Sequence, residues 1–373
     1  MILLDRYIIR QFLLNFLILM IVIMGLVVMI DLIFQMEQFS DAGENYAKAH
    51  GGSAAGWMFK LMWGYYGPLV LLLFVYLCGL LVVAAMGFTF ARMASKGELV
   101  TIISGGISLY RIAAPILIVG GLLNALALVD QEFLVANMVD KLTMRPGDFK
   151  HAERQTAGMY YVEDSRGNLI SCGSFNPATG QLSEVTVLLT DVQGRWDRRI
   201  TAKTATWNEP RAGWDLVGGK LMLRVDTQSV EAIQSARPPE TVLFFGTDVS
   251  PQVLKARRAA IYSTLLGMRQ LTELLDNPAA DRPTILRIMH SRFSLMVLNI
   301  LILAVAMPQF LSRVPPNPVK SAVNGAGIAI GSSIGGVVIL QFLAGGMNPV
   351  VAAWLPVVIY LPITASVLGR MKT

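Results

Sequence analysis

Charge is what this sequence has least of. Only 15% of its 373 residues are Asp, Glu, Lys or Arg, against 54% hydrophobic ones, and its mean hydropathy is positive. A soluble protein carries about a quarter charged residues, so the composition points to a membrane protein. Cysteine is nearly absent: Cys78 lies in an apolar run and Cys172 far away in a polar region, which argues against a disulfide, a CxxC metal site and a cysteine nucleophile. The histidines, His50, His151 and His290, have no ligand spacing, and HExxH does not occur. The nearest approach to a P-loop, Val217-Gly-Gly-Lys-Leu221, lacks the first glycine at the required spacing and the Ser or Thr after Lys. No catalysis, no metal, no cofactor and no nucleic-acid partner is expected, and membrane anchoring accounts for the net charge of +6.

Long hydrophobic runs are abundant. Stretches of about 20 residues without charged interiors cover Phe12 to Phe34, Pro68 to Ala91, Ile112 to Val129, Ser294 to Leu311, Ala322 to Leu343 and Val350 to Leu368. They predict six transmembrane helices, the first a retained span rather than a cleaved signal peptide, because no small-residue cleavage site follows it. Among the short segments, Lys and Arg gather at Arg6 and Arg10, at Arg92, Lys96 and Arg111, at Arg313 and Lys320, and at Arg370 and Lys372. The opposite connectors hold Lys48 and Lys60 beside Glu37, Asp41 and Glu44. This bias predicts that both termini and the connector after the second span are cytoplasmic. Only Asp31 and Asp130 stand near span ends. A charge at the bilayer centre costs about 2.5–3.5 kcal/mol, and the lack of one disfavours an ion-coupled transporter.

Between the third and fourth spans the composition turns polar. Short β-rich runs, Gly158 to Glu163, Asn168 to Phe175, Ser183 to Thr190, Arg198 to Trp207, Trp214 to Val225 and Thr241 to Phe245, are separated by turn signals such as Ser165-Arg-Gly-Asn168. They predict a sandwich or jelly roll outside the cytoplasm. From Ser250 the period becomes helical, with Leu254, Ile261, Leu265, Met268, Leu271 and Leu275, and Asp281-Arg-Pro283 resembles an N-cap with Pro at N1. The organisation is then residues 1–130 with three spans, 131–280 with the β domain and a connecting helix, and 281–373 with three further spans. No internal repeat accompanies it.

The connector between the second and third spans, Gly97-Glu-Leu-Val-Thr-Ile-Ile-Ser-Gly-Gly106, carries an apolar helix of its own. Ser95-Lys-Gly-Glu98 fits a capping box, so the helix is expected over about 95–105, stopped by Gly105-Gly106, with Ser108 capping the next span. A helix this short needs a surface to lie on. Two readings stay open from the residues: it packs on its own spans, or it couples to a cytoplasmic ATPase through Leu99, Ile102 and Ile103, with Glu98 and Arg92 as charged contacts and Gly105 at its end.

The segment from Arg92 to Ile112, RMASKGELVTIISGGISLYRI, resembles the cytoplasmic loop of the lipopolysaccharide-export permeases (LptF/LptG type). The opening Asp5-Arg-Tyr-Ile-Ile-Arg-Gln-Phe12, Arg145-Pro-Gly-Asp-Phe149 before the β domain and His290-Ser-Arg292 before the fourth span are similar to that family as well. The resemblance runs over the whole chain. It implies six spans with a periplasmic β-jelly-roll inserted after the third, in the bacterial inner membrane. It also implies a second, related or identical, permease subunit, a cytoplasmic ABC ATPase dimer that hydrolyses the ATP, lipopolysaccharide as substrate and a periplasmic bridge protein. One departure concerns the outer end of the first span, Val28 to Glu37, where family members often have lysines and this chain has no basic residue. The chain is therefore the other subunit type or handles a different lipid.

Other residues admit paired readings. Gly327, Gly331 and Gly335 fall on one helix face, for packing within the subunit or for a gate with the partner, to which Asp31 also belongs. Arg287 and Arg292 are membrane anchors or contacts to lipid headgroups. Trp57, Trp63, Tyr65 and Tyr66 read as an interfacial belt. Val185, Val187 and Ile200 read as β-domain core or, by the resemblance, as part of a slide for acyl chains. A membrane-anchored scaffold with a β domain for periplasmic proteins, and an ABC permease for another lipid, are the rival functions.

Overall fold

The computed structural model of the chain describes residues 3–143, 159–176, 179–190, 196–223, 240–254, 262–276, 281–311, 318–340 and 346–369. Among these, five helices are long and apolar enough to cross a membrane: Leu3–His50, Ala54–Ser95, Leu109–Met138, Arg282–Gln309 and Pro349–Gly369. The fifth expected span, Ala322 to Leu343, coincides with a helix whose apolar stretch, Val323–Val338, is shorter. The segment Arg145 to Phe149, Ile261 and Arg313 lie outside the described residues.

Helices α1 (Leu3–His50) and α2 (Ala54–Ser95) form an antiparallel hairpin. At 1.5 Å per residue α1 is about 72 Å long, against a hydrocarbon core of about 30 Å. The apolar runs read from the sequence are thus the middles of longer helices, and the hairpin projects past the membrane. Its tip turns at Gly51 (φ 73°) and Gly52 (φ 99°), where only glycine adopts such angles cheaply. Ser53 then caps α2 by accepting the Gly56 amide. The projecting part closes tightly because Gly43 has no side chain: a Cβ there would lie 2.8 Å from the Ala54 carbonyl oxygen. Phe39 packs on Tyr65 and Tyr66, and Tyr46 and His50 pack on Trp57. Of the four aromatics read as an interfacial belt, Tyr66 is buried between the helices, while Trp63 is 79% exposed.

After the connector come α3 (Glu98–Ser104) and α4 (Leu109–Asp130), which runs on through a π-helical turn at Gln131–Val135 and a short 3-10 turn into α5 (Val139–Thr143). Beyond the sheet lie α6 (Met268–Leu275), α7 (Arg282–Ala306), α8 (Pro318–Val338) and α9 (Pro349–Gly369). The expected start of α7 is found: the Asp281 carboxylate accepts the Thr284 amide and Pro283 sits in the first turn. Three close approaches hold the bundle. A Cβ on Gly79 (α2) would lie 2.5 Å from the Asn299 side chain (α7), and one on Gly120 (α4) 2.6 Å from Leu303. The Phe310 ring lies between Gly87 and Gly325 in the same manner. Polar bonds join the same helices: Asn299 Nδ2 donates to Asn124 Oδ1 at 2.9 Å, and Asn15 Nδ2 to Thr89 Oγ1 at 2.9 Å.

The strands β1 (Met159–Glu163), β2 (Leu169–Asn176), β3 (Gln181–Thr190), β4 (Trp196–Asn208), β5 (Gly213–Val217), β6 (Lys220–Leu223), β7 (Glu240–Thr241) and β8 (Phe244–Gly246) make one antiparallel sheet. β1 to β4 pair in sequence order; the long β4 then pairs with both β5 and β6, which continue into β8 and β7. An antiparallel β domain is present as expected. The described pairings form one eight-stranded sheet with the non-consecutive pairs β4–β6 and β5–β8; the finer expectation of a jelly roll is not shown by them. The run read as one strand from Trp214 to Val225 breaks at Gly218 (φ 68°) and at Gly219, where a Cβ would meet the Val242 carbonyl oxygen at 2.0 Å.

Ile170, Cys172 and Phe175 on β2, Val187, Val185 and Leu182 on β3, and Ile200, Ala202 and Ala205 on β4 are buried. In each strand the buried positions step by three residues instead of two at one rung, beside Glu184 with its φ of 52°. The three strands therefore change face together. The β1–β2 turn is pinned through Asp164, whose Oδ1 accepts the Arg166 and Asn168 amides while Thr247 donates to Oδ2. Beside it the Ser165 amide donates to Asp248 and holds that carboxyl below its ordinary range.

Gly79→Leu, which overpacks the Asn299 contact at a cost of about 1–3 kcal/mol or more, is expected to lower the monodisperse fraction in size-exclusion chromatography several-fold. Gly327→Leu, where nothing lies within 4 Å, leaves the isolated chain unchanged. Trp214 is 1% exposed and its indole N–H donates to the Val249 carbonyl at 3.0 Å; Trp214→Ala should destabilise the sheet by about 3–5 kcal/mol, read as faster proteolysis there.

Candidate functional site

The connector between α2 and α4 departs from its expected capping. Ser95 is the last residue of α2, and its hydroxyl donates to the Arg92 carbonyl at 2.9 Å. A capping serine needs extended backbone, which Ser95, still helical, does not have. The break falls instead at Gly97, with φ of 71°, and α3 starts at Glu98 without a side-chain cap. Gly97 is where a left-handed turn costs least, so glycine placement overrides the serine. The predicted stop holds: Gly105 ends α3 and Gly106 has φ of 82°. Ser108 occupies the N-cap of α4 with extended backbone but makes no side-chain cap bond.

The residues expected to form an apolar docking face divide into two sets. Leu99 is 1% exposed in the helical core, and Ile102 and Ile103 pack half-buried against it. Leu99 is therefore an internal packing residue and is closed to any partner. The outward face consists of Val100, 44% exposed, with Thr101, Ser104 and Gly105. Arg92 and Lys96 are exposed at its edge.

Glu98 is held in place: the Tyr7 hydroxyl donates to its Oε2 at 2.8 Å, and Lys96 Nζ lies 3.9 Å from Oε1. Donation to this carboxylate raises the Tyr7 phenol above its usual range. Arg111 on α4 pairs with Asp5 on α1 at 3.5 Å, and the Tyr110 hydroxyl donates to the Leu368 carbonyl at 2.7 Å. The start of α1, the connector, the start of α4 and the end of α9 thus form one bonded layer. Sequence reasoning missed Tyr7 as the partner of Glu98. They are 91 residues apart, and the only signal was that Tyr7 and Glu98 both lie in segments marked by family resemblance.

At the sheet-side end the candidates are dispersed. Arg292, read as a membrane anchor or headgroup contact, is turned inward in this structure. It is 6% exposed, it pairs with Glu132, and it donates to the carbonyls of Thr264 and Leu266. Arg287 is half-buried. Asp31 accepts from Gln35 and from the Tyr66 hydroxyl at 3.1 Å, which ties α1 to α2. Gly335 lies against the Tyr360 hydroxyl, whereas Gly327 and Gly331 face open space. The glycines that admit close neighbours on α8 are Gly325 and Gly336. Val185, Val187 and Ile200 are 3%, 1% and 4% exposed, inside the sheet's covered face.

Two cavities open among the helices. One of about 470 Å³ lies between α2, α4, α7 and α8, lined by Asn124, Asn299, Gln131 and Arg292 among many apolar side chains. The other, about 460 Å³, is apolar and lined by Leu80, Val83, Phe88, Phe310 and Ala326. Among the described residues no group of three His, Cys, Asp or Glu is arranged to hold a metal ion.

An exposed polar layer at one end of an apolar bundle and a largely buried ion pair at the other, with a sheet domain between its third and fourth long helices, are the frame on which the comparison with known families bears. No curated protein sequence matches the chain. The family model described as lipopolysaccharide export system permease LptF/LptG matches residues 6–370, nearly the whole length, and the chain belongs to that family.

Proposed function

We propose that this lipopolysaccharide export permease is the membrane subunit of an ABC-type extractor. It pairs with a second permease subunit, receives force from a cytoplasmic ATPase dimer and passes lipid from the inner membrane to a periplasmic bridge. The observation that carries the reading is the construction of α3. A seven-residue helix has no stability of its own, yet this one is fixed on its inner side by Leu99 and at its start by the Tyr7–Glu98 bond. A rigid knob with Val100, Thr101 and Ser104 outward suits insertion into a groove of a partner, with one apolar anchor and polar surroundings. Because α1, α4 and α9 are bonded to the same layer, displacement of α3 moves several spans at once.

In this orientation both termini and α3 are cytoplasmic and the sheet domain is periplasmic, in accordance with the distribution of Lys and Arg. Between Val28 and Glu37 α1 offers Asp31 and Glu37 and no basic residue, the next ones being Lys48 and His50 in its last turn, so the chain is the subunit type without the family's lysines there or it handles a different lipid. Lipid contact at Val185, Val187 and Ile200 requires the covered face of the sheet to open during transport.

Val100→Asp is expected to reduce the ATPase that co-purifies with the chain at least about tenfold, equivalent to about 1.4 kcal/mol, without loss of membrane insertion. Undiminished co-purification would show that α3 is not the docking element. Tyr7→Phe removes one hydrogen bond, worth about 1 kcal/mol, and is expected to weaken ATPase binding roughly fivefold. Photo-crosslinkers at Val185 or Ile200 should capture lipid only while ATP is turned over; capture without ATP, or none at all, rejects the opening sheet.

A further inference from the structure

The segment that leads into α6 is fastened to the ends of α4 and α7 at one largely buried place. α4 passes into a π-helical turn at Gln131–Val135. The extra residue in such a turn rotates the helix beyond it, and Glu132 is directed at α7. There it is paired with Arg292 Nη1. The other carboxylate oxygen of Glu132 accepts the Met268 amide at 2.6 Å. Arg292 Nη2 donates to the Thr264 and Leu266 carbonyls, and Gln131 Nε2 also donates to Thr264 at 3.2 Å. Gly267 sits between these contacts, where a Cβ would lie 3.1 Å from Ala136 and 3.2 Å from the Glu132 carbonyl oxygen.

Thr264 to Met268 is chain that returns from the sheet domain. It leads into α6, whose Leu271 and Leu274 pack on Ile285 of α7. The segment that leaves for the sheet begins at α5, continuous with α4. One ion pair thus gathers the root of the outgoing segment, the root of the returning segment and the sheet-side ends of two long helices.

A buried ion pair is a poor source of stability, because desolvating both charges offsets their attraction. Its geometric value is different. The guanidinium fork satisfies a carboxylate and two carbonyls at fixed angles, as lysine cannot. We infer that Glu132 and Arg292 are positioning residues that form the joint by which movement of α4 and α7 is passed to the sheet domain, an inference that rests on the transport reading for its purpose but not for its geometry. Without the joint, the returning segment at Thr264–Met268 is no longer held to α4 and α7. Arg292 accordingly recognises the protein's own backbone and not a lipid headgroup.

The test uses the full chain with spin labels at Leu126 on α4 and Glu209 in the β4–β5 turn, both exposed. Three variants are compared with the parent: Arg292→Lys, which keeps the charge but loses the fork; Gly267→Val, which wedges the joint open; and the double variant Glu132→Met with Arg292→Met, which replaces the pair by apolar side chains and preserves folding. The parent should give one narrow distance distribution, and each variant one at least about twice as broad, with extraction and melting temperature of the double variant close to the parent's. In the complex with its ATPase, ATP hydrolysis should stay within about twofold while lipid released per ATP falls roughly tenfold. An unchanged distribution in the well-folded double variant overturns the joint, as does a parallel loss of hydrolysis and lipid release. If the parent chain holds no ATPase, the transport reading fails and the distance distributions alone decide the joint.

Discussion

Helices in a bilayer gain nothing from leaving water for one another, since the lipid around them is equally apolar, so association depends on how closely backbones approach and on the few polar bonds between them. The bundle is organised by that constraint. Gly79, Gly120, Gly87 and Gly325 are the points where a Cβ would collide with Asn299, Leu303 or Phe310. The Asn124–Asn299 bond lies on the same α4–α7 contact. α7 meets α2 and α4 through these points and α8 through Leu298 against Gly336, which makes it the helix around which the others are arranged. Its sheet-side end holds Arg292 and its other end leads to Phe310, so its tilt is felt at both ends of the membrane layer.

Much of the architecture was legible in the sequence because apolar periodicity and turn residues report local structure directly. Five of the expected spans, the places of most strands and the start of α7 at Asp281 follow from them. The features that were not legible depended on contacts distant in the chain. Ser95 has the residues of a capping box, yet Gly97 determines where the helix breaks. Arg292 is a basic residue at a span end and reads as an anchor. Nothing local reveals that Glu132, 160 residues away, and two backbone carbonyls surround it. Of the glycine stripe at 327, 331 and 335, Gly335 meets the Tyr360 hydroxyl while the tightest neighbours on α8 belong to Gly325 and Gly336, because the direction of a helix face is set by its partners. The lengths of α1 and α2 were also underestimated. Hydropathy ends where polar residues begin, whereas the helices continue as long as Ala42 and Gly43 let them touch.

The candidate site illustrates the same division. The position and stop of α3 could be read from the chain, and which of its side chains face outward could not. An apolar residue on a short helix serves its own core or a partner, and only the burial of Leu99 beside the exposure of Val100 separates the two. Tyr7 and Glu98 turn a fragment of helix into a rigid element by joining it to the first turns of the chain.

The simultaneous change of face in β2, β3 and β4 has a consequence for how the sheet is built. An uninterrupted strand can slip along its neighbour by two residues and still present apolar side chains to the same side. A strand with an irregular rung cannot, because its irregularity must stand opposite those of its neighbours. The rung at Glu184 thus works as an indexing notch: it admits a single alignment of three strands and keeps the long β4 in step with partners on both of its edges.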